Sequence, residues 1–259
     1  MPMPRLLSAL CAAACLALLS AAPADAAIKR ESIDYKDGAQ ALQGLLVYDD
    51  KTPGKSPGVL LLHRRDGMSH FTVRDAEMVA SLGYVVFAPD IYGKEFRPTE
   101  VKEMIALSGK FQNDRPLMRA RTSAGFDVLR NNPMVDAGRI ALIGYCFGGN
   151  VAAEFAEQGA PIVGTLILHG SFRNLAPGAA KNIHGRVLIL HSADDDQAPL
   201  EGVLRLTKEM TQYKIGWELR LYAGTDHAYT SEASNAEGER ANAESAPATA
   251  QFLKEVFGM

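Results

Sequence analysis

Short apolar runs alternate with longer amphipathic segments along this chain. Two segments of roughly alternating polarity, residues 31–35 and 41–48, flank Asp37 and Gly38 and predict a β-hairpin. Continuous apolar runs then predict strands that are buried on both faces of a parallel sheet. These runs are residues 59–62, 84–88, 139–143, 166–168, 187–190 and 219–222.

Segments of helical periodicity separate the apolar runs. They lie near residues 73–82, 99–107, 116–130, 147–157, 200–212 and 248–257. Such an alternation of strand and helix is typical of a doubly wound α/β fold with a mostly parallel sheet. We therefore predict one α/β domain without internal repeats. Residues 231–246 are small and polar, which predicts a surface loop or a partly disordered segment.

Residues 1–26 differ from the rest of the chain. Arg5 precedes an apolar run over residues 6–22, and Ala24-Asp25-Ala26 fits a small-x-small cleavage site. This pattern predicts a secretory signal peptide, so that residues 27–259 form the mature domain in a periplasm or outside the cell. An uncleaved N-terminal anchor is the alternative. A lipoprotein signal at Cys15 fits less well, because no branched apolar residue stands three positions before it.

The charge balance and the cysteines narrow the function. The 259 residues include 27 basic and 30 acidic ones without long charged runs, so nothing indicates nucleic acid or an anionic membrane surface as a partner. Removal of residues 1–26 would leave Cys146 as the only cysteine of the three. Exported proteins usually pair their cysteines, so this thiol is either buried and inert or catalytic.

The segment around Cys146 favours catalysis. Residues 144–149 read G-Y-C-F-G-G and lie between a predicted strand and a predicted helix, which is the G-x-nucleophile-x-G elbow with cysteine as nucleophile. Glycines on both sides allow strand and helix to pass closely. The sulfur would lie at a helix N-terminus, which favours thiolate. The backbone N–H of Phe147 would point at a developing oxyanion.

An acid and a histidine follow Cys146 in the order that this elbow requires. Asp195 and His227 each lie five residues after the end of an apolar run, 187–190 and 219–222 respectively. His227 would act as general base and acid, and Asp195 would fix its tautomer. The neighbouring Asp194 and Asp196 are predicted to be solvated or to cap a turn.

The remaining histidines do not suggest a metal centre. His169 and His191 each end an apolar run and are predicted to pack in the core or to cap a loop. No H-x-x-x-H pattern and no Cys/His spacing indicates metal ligands, so no metal is predicted. The other three histidines are His63, His70 and His184.

These motifs together resemble the dienelactone hydrolase family. The G-Y-C-F-G-G turn, the D-D-D-Q-A-P turn at 194–199 and the G-T-D-H-A-Y segment at 224–229 look like its catalytic segments, and P-D-I-Y-G at 89–93 resembles a further segment. The similarity runs from about residue 33 to residue 257. It implies a single-domain α/β-hydrolase fold and a triad of Cys146, His227 and Asp195 without metal or organic cofactor. It also implies an oxyanion hole of the Phe147 and Arg65 backbone N–H groups.

The chain departs from that family at the residues expected to recognise substrate. Arg64 stands where the family has a glutamate that holds the thiol and takes its proton, which an arginine cannot accept. Arg64 would instead stabilise a thiolate, grip a substrate carboxylate or point to solvent. Ser231 and Lys94 replace two carboxylate-binding arginines, although Arg97 lies near Lys94. The candidate substrate-binding residues are Arg64, Lys94 and Tyr145.

The leading hypothesis is an exported hydrolase of small carboxylic esters or lactones that forms a thioester intermediate at Cys146. The altered residues at 64 and 231 leave open a non-catalytic protein that binds small carboxylates on a hydrolase fold. A thiol-based oxidant sensor is a third hypothesis, which is weakened because no resolving cysteine remains in the mature chain.

Overall fold

The computed structural model describes residues 27–52, 54–173, 175–231 and 235–259. The predicted signal peptide, residues 1–26, lies outside the described residues. Within the described part of the chain, eight strands form one sheet. They are β1 (Ile28–Asp37), β2 (Gln40–Asp49), β3 (Ser56–Leu62), β4 (Val85–Ala88), β5 (Val135–Tyr145), β6 (Gly164–Leu168), β7 (Arg186–Ser192) and β8 (Trp217–Tyr222).

The strand order in the sheet is β1-β2-β4-β3-β5-β6-β7-β8. The predicted hairpin is confirmed, because β1 pairs antiparallel with β2 around the turn at Gly38, whose φ is +57°. Strand β2 is also antiparallel to β4, and every later pairing is parallel. The inner strands β3, β4 and β6 are buried along their whole length, as their continuous apolar sequences predict.

Helices connect the strands and cover both faces of the sheet. They are α1 (His70–Ala80), α2 (Val101–Asn113), α3 (Arg115–Arg130), α4 (Phe147–Glu157), α5 (Leu200–Gln212) and α6 (Ala236–Phe257), with a short 3₁₀ helix at Ala179–Asn182. One core lies between the sheet and α3, α4 and α5, and the other lies between the sheet and α1 and α6. This arrangement confirms the predicted single-domain α/β fold. No helix in these described ranges is long and apolar enough to cross a membrane.

Helix α6 corrects the prediction of a loop over residues 231–246. The helix begins at Ala236, where the Asn235 side chain accepts a hydrogen bond of 2.7 Å from the backbone N–H of Gly238. The buried positions of its first turns carry the small residues Gly238, Ala241 and Ser245, of which Ala241 packs in the core that α1 and α6 form with the sheet. Small residues give a weak hydrophobic period, and for that reason the sequence pattern did not reveal the first part of this helix.

Candidate active site

The nucleophile turn lies where β5 ends and α4 begins. Cys146 is the residue before α4 and has φ 53° and ψ −116°, a strained conformation for a residue with a side chain. Its backbone N–H donates to the carbonyl of Leu168 at the end of β6, at 3.0 Å. The strain is therefore held by the sheet, and it directs the sulfur toward the carboxyl ends of the strands.

Two glycines allow this turn to form. A Cβ atom on Gly144 would lie 2.2 Å from the backbone oxygen of Gly148, and a Cβ on Gly148 would lie 2.1 Å from the backbone oxygen of Leu62. Both distances are too short for real atoms. The spacing of glycines around Cys146 thus has the steric cause that the elbow motif predicts, because β3, β5 and α4 meet here.

Cys146, His227 and Asp195 form a continuous chain of contacts. The Cys146 Sγ lies 3.0 Å from His227 Nε2, and His227 Nδ1 lies 2.7 Å from Asp195 Oδ2. The His227 and Asp195 residues are both buried. Since Oδ2 is an acceptor, Nδ1 carries a proton and Nε2 is directed at the sulfur.

The electrostatics of this chain favour an ion pair between sulfur and imidazole. Burial raises the pKa of the Cys146 thiol, but the hydrogen bond and charge of His227, the charge of Arg65 and the backbone N–H of Phe147 together bring it below its ordinary value of 9.0. Burial lowers the pKa of His227, but Asp195 and Cys146 raise it to about 9. Cys146 and His227 thus shift each other toward a thiolate beside an imidazolium.

The structure distinguishes the three consecutive aspartates. Asp195 Oδ1 accepts the backbone N–H groups of Gln197 and Ala198 at 2.9 and 2.7 Å, while its other oxygen faces His227. Burial raises the pKa of the Asp195 carboxyl, but the His227 and backbone hydrogen bonds hold it below its ordinary value of 3.8. Asp194 is exposed and accepts the Gly224 backbone N–H at 2.7 Å, as expected for a residue that caps a turn.

The backbone N–H groups of Phe147 and Arg65 were predicted to form the oxyanion hole. The Phe147 N–H is at the start of α4 and contributes to lowering the Cys146 thiol pKa, so it faces the sulfur. The Arg65 N–H belongs to the peptide group whose carbonyl oxygen is that of Arg64. This oxygen lies 2.7 Å from His63 Nδ1 and accepts the Gly67 N–H at 3.1 Å, and these two contacts fix the peptide group.

His63 was not predicted to contribute to the site. Its Nε2 accepts the backbone N–H of Ile91 at 3.3 Å, so Nδ1 carries the proton that is donated to the Arg64 carbonyl. Burial lowers the pKa of His63, which keeps the ring neutral in this tautomer. The sequence signal was available, because His63 directly follows the apolar run of β3.

Arg64 neither points to solvent nor lies free beside the substrate. It is only 7% exposed, and its guanidinium forms an ion pair with Asp75 of α1 and donates to Thr230 Oγ1 at 3.0 Å. The guanidinium carbon also lies 4.3 Å from the centroid of the Tyr145 ring. Asp75 is a buried carboxylate that needs a cation; the buried Arg64 supplies it on one oxygen and the exposed Arg74 pairs with the other at 3.0 Å. Arg64 also lines a cavity of about 210 Å³ at Cys146, so its contact with substrate stays a prediction, although its guanidinium is already held by Asp75 and Thr230.

Two further expectations about substrate-binding residues are corrected. The Lys94 ammonium pairs with Asp34 on the exposed hairpin at 2.7 Å, and Lys94 is not among the residues that line the cavities at Cys146. The Tyr145 side chain points to the other side of its strand, where it lines a separate cavity with Arg74. Alternate residues of a strand face opposite sides, so the neighbour of the nucleophile is directed away from it.

Two cavities meet at Cys146 and His227. The larger has a volume of about 490 Å³ and is lined by Arg65 and Arg173, with Asp196 also on its wall. The smaller has a volume of about 210 Å³ and includes His169 and Phe71. Substrate can therefore reach the sulfur, and the larger cavity carries a net positive charge from its three ionised side chains outside the triad.

The cations of the larger cavity are not held by carboxylates in the described part of the chain. Arg65 Nη1 donates to the Gln197 side chain at 3.1 Å, and Arg173 Nη2 donates to the Gln197 backbone oxygen at 2.8 Å. Both guanidinium groups retain donors for an anionic group of a ligand. The sequence indicated a role for the Arg65 backbone but not for its side chain. Arg173 was not predicted, because it lies in a loop without a motif.

His169 and His191 both lie beside residues of the catalytic triad. His191 Nε2 lies 2.8 Å from the Ala198 carbonyl and supports the turn that carries Asp195. The His169 ring packs edge-on against the His227 ring at 5.1 Å between centroids. One ligand atom each of Cys146, His169 and His227 lies within 4.8 Å of the others, which is close enough to consider a metal ion.

Comparison with known proteins agrees with this geometry. The model of the dienelactone hydrolase family matches residues 42–257. A carboxymethylenebutenolidase from Pseudomonas sp. is 29% identical over 136 residues, which cover 49% of this chain and 55% of that protein. The hydrolase PyvD from Aspergillus violaceofuscus is 24% identical over 187 residues, covering 71% and 74%.

A solved structure shows the same likeness over nearly the whole fold. It is a dienelactone hydrolase-like promiscuous phosphotriesterase from metagenomic libraries, 28% identical, with a TM-score of 0.83 and coverage of 89% of this chain and 99% of that one. The family match spans most of the chain and includes every residue of the contact chain from Cys146 to Asp195. The chain belongs to the dienelactone hydrolase family and, with its homologues, is a hydrolase of lactones or esters.

Proposed function

We propose that this protein hydrolyses small carboxylic esters or lactones through a thioester on Cys146, with His227 as general acid and base and Asp195 as the residue that orients it. The observation that carries the proposal is the contact of 3.0 Å between Cys146 Sγ and His227 Nε2, in a chain that continues to Asp195 at 2.7 Å. A buried inert cysteine would not need this partner.

The first half of the reaction forms the thioester. The Cys146 thiolate attacks the carbonyl carbon, and the carbonyl electron pair moves to the oxygen, where the backbone N–H groups of Phe147 and Arg65 stabilise it. Collapse of this intermediate breaks the bond to the alcohol oxygen. His227 donates its Nε2 proton to the leaving alkoxide, and Asp195 keeps the Nδ1 proton in place throughout.

The second half consumes water. His227, now neutral, accepts a proton from a water molecule at Nε2, and the resulting hydroxide attacks the thioester carbonyl in the same oxyanion hole. The carbon–sulfur bond breaks, the carboxylic acid leaves, and the thiolate–imidazolium pair is restored. A lactone follows the same steps, with the alcohol remaining attached to the acid.

The larger cavity supports a substrate that carries an acidic group. Arg65 and Arg173 line it with guanidinium N–H groups that are not all used in hydrogen bonds, and Asp196 is the acidic residue among its lining side chains. A carboxylate held by a planar guanidinium forms charge-assisted hydrogen bonds, which are about twice as strong as neutral ones. We therefore include in the proposal that the preferred substrates are acidic esters or lactones.

The catalytic part is tested by turnover of a panel of aryl esters and lactones, with Cys146→Ala and Asp195→Asn beside the wild type. We expect Cys146→Ala to abolish hydrolysis and Asp195→Asn to reduce kcat by orders of magnitude. An aryl dialkyl phosphate belongs in the panel, since one similar structure is that of a phosphotriesterase. Unchanged turnover in Cys146→Ala would refute the proposal, and tight binding of a carboxylate without turnover would favour a binding protein.

The preference for acidic substrates has its own test. Arg173→Met is expected to raise KM about fivefold to tenfold for the monoaryl ester of a dicarboxylic acid and far less for an aryl acetate. Arg130→Met is the matched control, because Arg130 is exposed and lies outside both cavities at Cys146. Equal changes for acidic and neutral esters would remove Arg173 from substrate recognition.

We also propose that the protein is exported, with residues 1–26, which lie outside the described part of the chain, as the signal peptide. The apolar run and the Ala24-Asp25-Ala26 site support it. Expression of the full chain in a bacterial host, followed by N-terminal sequencing of the exported protein, is expected to give Ala27 as the first residue. A protein that keeps its first residues in the cytoplasmic fraction would contradict export.

A further inference from the structure

The smaller cavity at Cys146 contains three potential metal-binding residues, of which the hydrolysis mechanism uses two, Cys146 and His227. Cys146, His169 and His227 all line this cavity of about 210 Å³. Each offers one ligand atom, and these atoms lie within 4.8 Å of one another. One thiolate and two imidazoles form a donor set that suits zinc and other soft divalent cations.

His169 adds a third potential metal ligand to the catalytic pair of Cys146 and His227. It is only 1% exposed, and its φ of 41° places it in the left-handed region, which is strained for a residue with a Cβ. Its Nδ1 atom is buried and has no hydrogen-bond partner in the part of the chain that the structure describes. A buried nitrogen in this state has a lone pair that a water molecule or a ligand can occupy.

Both imidazoles have the outer contacts that metal-binding histidines require. His227 Nδ1 bonds to Asp195 Oδ2 at 2.7 Å, and His169 Nε2 bonds to Thr230 Oγ1 at 2.7 Å. In the tautomer that donates Nε2–H to Thr230, His169 Nδ1 presents a free lone pair. Such contacts orient a metal-binding ring and raise its basicity, and they commonly accompany ligands in metal sites.

The geometry requires small movements to bind an ion. Zinc lies about 2.3 Å from sulfur and about 2.0–2.1 Å from nitrogen, so tetrahedral ligand atoms are roughly 3.3–3.6 Å apart. The sulfur must therefore move away from His227 Nε2 by about half an ångström, and the His169 nitrogen, within 4.8 Å of the other two atoms, must approach by up to about 1.5 Å. Arg64 and Arg65 line the same cavity. Asp75 pairs with Arg64, and Asp66, which has a buried carboxylate oxygen without a partner among the described residues, offsets the charge of Arg65.

We propose that Cys146, His169 and His227 form a three-ligand site for a soft divalent cation such as Zn²⁺, and that occupation of this site blocks the nucleophile. Binding makes bonds from the metal to Sγ and to one nitrogen of each imidazole. The proton shared between Sγ and His227 Nε2 is released to solvent, and a water molecule from the cavity completes the coordination. The metal-loaded protein has no free thiolate and is inactive, and a chelator restores it.

Cadmium is the probe for binding, because its bond to a thiolate gives an ultraviolet charge-transfer band. Titration of the purified protein with Cd²⁺ is expected to saturate at one equivalent, with competition by Zn²⁺. His169→Gln is expected to weaken Cd²⁺ binding at least about tenfold. His184→Gln is the matched control, since His184 is exposed and lies outside the cavity, and it should bind Cd²⁺ as the wild type does.

A second measurement does not depend on any variant. X-ray absorption of the Zn²⁺-loaded wild type is expected to show one sulfur and two imidazole nitrogens. Undiminished Cd²⁺ affinity in His169→Gln, absence of saturable binding, or a zinc spectrum with sulfur but fewer than two imidazoles would each overturn the proposal. These readouts use binding and not turnover, so their outcome is separate from that of the hydrolase proposal.

Discussion

His227 stabilises the Cys146 thiolate before any substrate is present, and its removal has a measurable consequence. Asp195 and Cys146 raise the His227 pKa from its ordinary 6.5 to about 9, against the effect of burial. This difference corresponds to roughly 3 kcal/mol in favour of imidazolium. The interaction is mutual, so the same hydrogen bond and charge stabilise the thiolate.

The perturbation is His227→Gln, which removes the charge and keeps a polar side chain of similar reach. A hydrogen bond to a charged group is worth about 1.5–3 kcal/mol, so at about pH 6 the thiolate population and the rate of alkylation by iodoacetamide should fall about 10- to 100-fold. In the wild type the rate should rise with a midpoint below 9.0. In the variant the midpoint should lie higher, because burial, which raises the thiol pKa, is then opposed only by Arg65 and the Phe147 N–H.

The assay is the pseudo-first-order rate of alkylation across a pH series, followed by mass spectrometry of the Cys146 peptide. His184→Gln, an exposed histidine, controls for general effects of losing an imidazole. The reasoning would be refuted if the wild type reacted with a midpoint at or above 9.0. It would equally be refuted if His227→Gln and the wild type had the same pH profile.

Three further predictions concern stability. Burial and then neighbouring carboxylates raise the pKa of Glu157 from 4.5 to about 8, so the native state favours its protonated form. The contribution of this group to the free energy of unfolding is therefore complete below pH 4.5 and is lost as the pH rises through 8. Glu157→Gln should therefore stabilise the protein at pH 8, by up to about 4 kcal/mol in urea unfolding, and not at pH 4. Asp75→Asn should cost about 3 kcal/mol because Arg64 loses its buried partner, and Asp75→Leu combined with Arg64→Met should recover much of that loss. Gly148→Ala should lower Tm and activity together, since its Cβ would lie 2.1 Å from a backbone oxygen of β3.

Each of these has a contradicting result. An equal gain for Glu157→Gln at both pH values would mean that its effect is not electrostatic. A double variant at positions 64 and 75 that is no more stable than Asp75→Asn would mean that packing, and not the uncompensated arginine, sets the loss. A Gly148→Ala protein with wild-type Tm would show that the turn relaxes freely.

The sequence predicted the parts of the fold that depend on local patterns. Continuous apolar runs identified the buried strands, and the bounds predicted for α4 and α5 agree with the structure. The elbow at Cys146 was predictable because its glycines have a steric cause that leaves a mark in the sequence. Strand ends and chain order limited the acid to three consecutive aspartates, and the predicted one, Asp195, is the one that the structure brings to His227.

The parts that sequence did not predict depend on contacts between distant elements. The role of Arg64 depends on Asp75, which lies eleven positions later on the buried side of α1 and carries no motif. His169 follows β6 while His227 follows β8, so their packing at 5.1 Å has no spacing that a metal motif would show. Lys94 was predicted to bind substrate from the resemblance to the family, but in this chain its ammonium pairs with Asp34 of the hairpin.

The most direct test of the account is the search for an acyl group on Cys146 during turnover. An aryl ester is mixed with the wild-type protein, the reaction is stopped with acid within the first turnovers, and the Cys146 peptide is analysed by mass spectrometry beside Cys146→Ala. The account predicts a mass increase equal to the acyl group, located on Cys146 and lost on treatment with hydroxylamine, together with no turnover in Cys146→Ala. Ester hydrolysis at the wild-type rate by Cys146→Ala, with no acylated peptide in either protein, would contradict it.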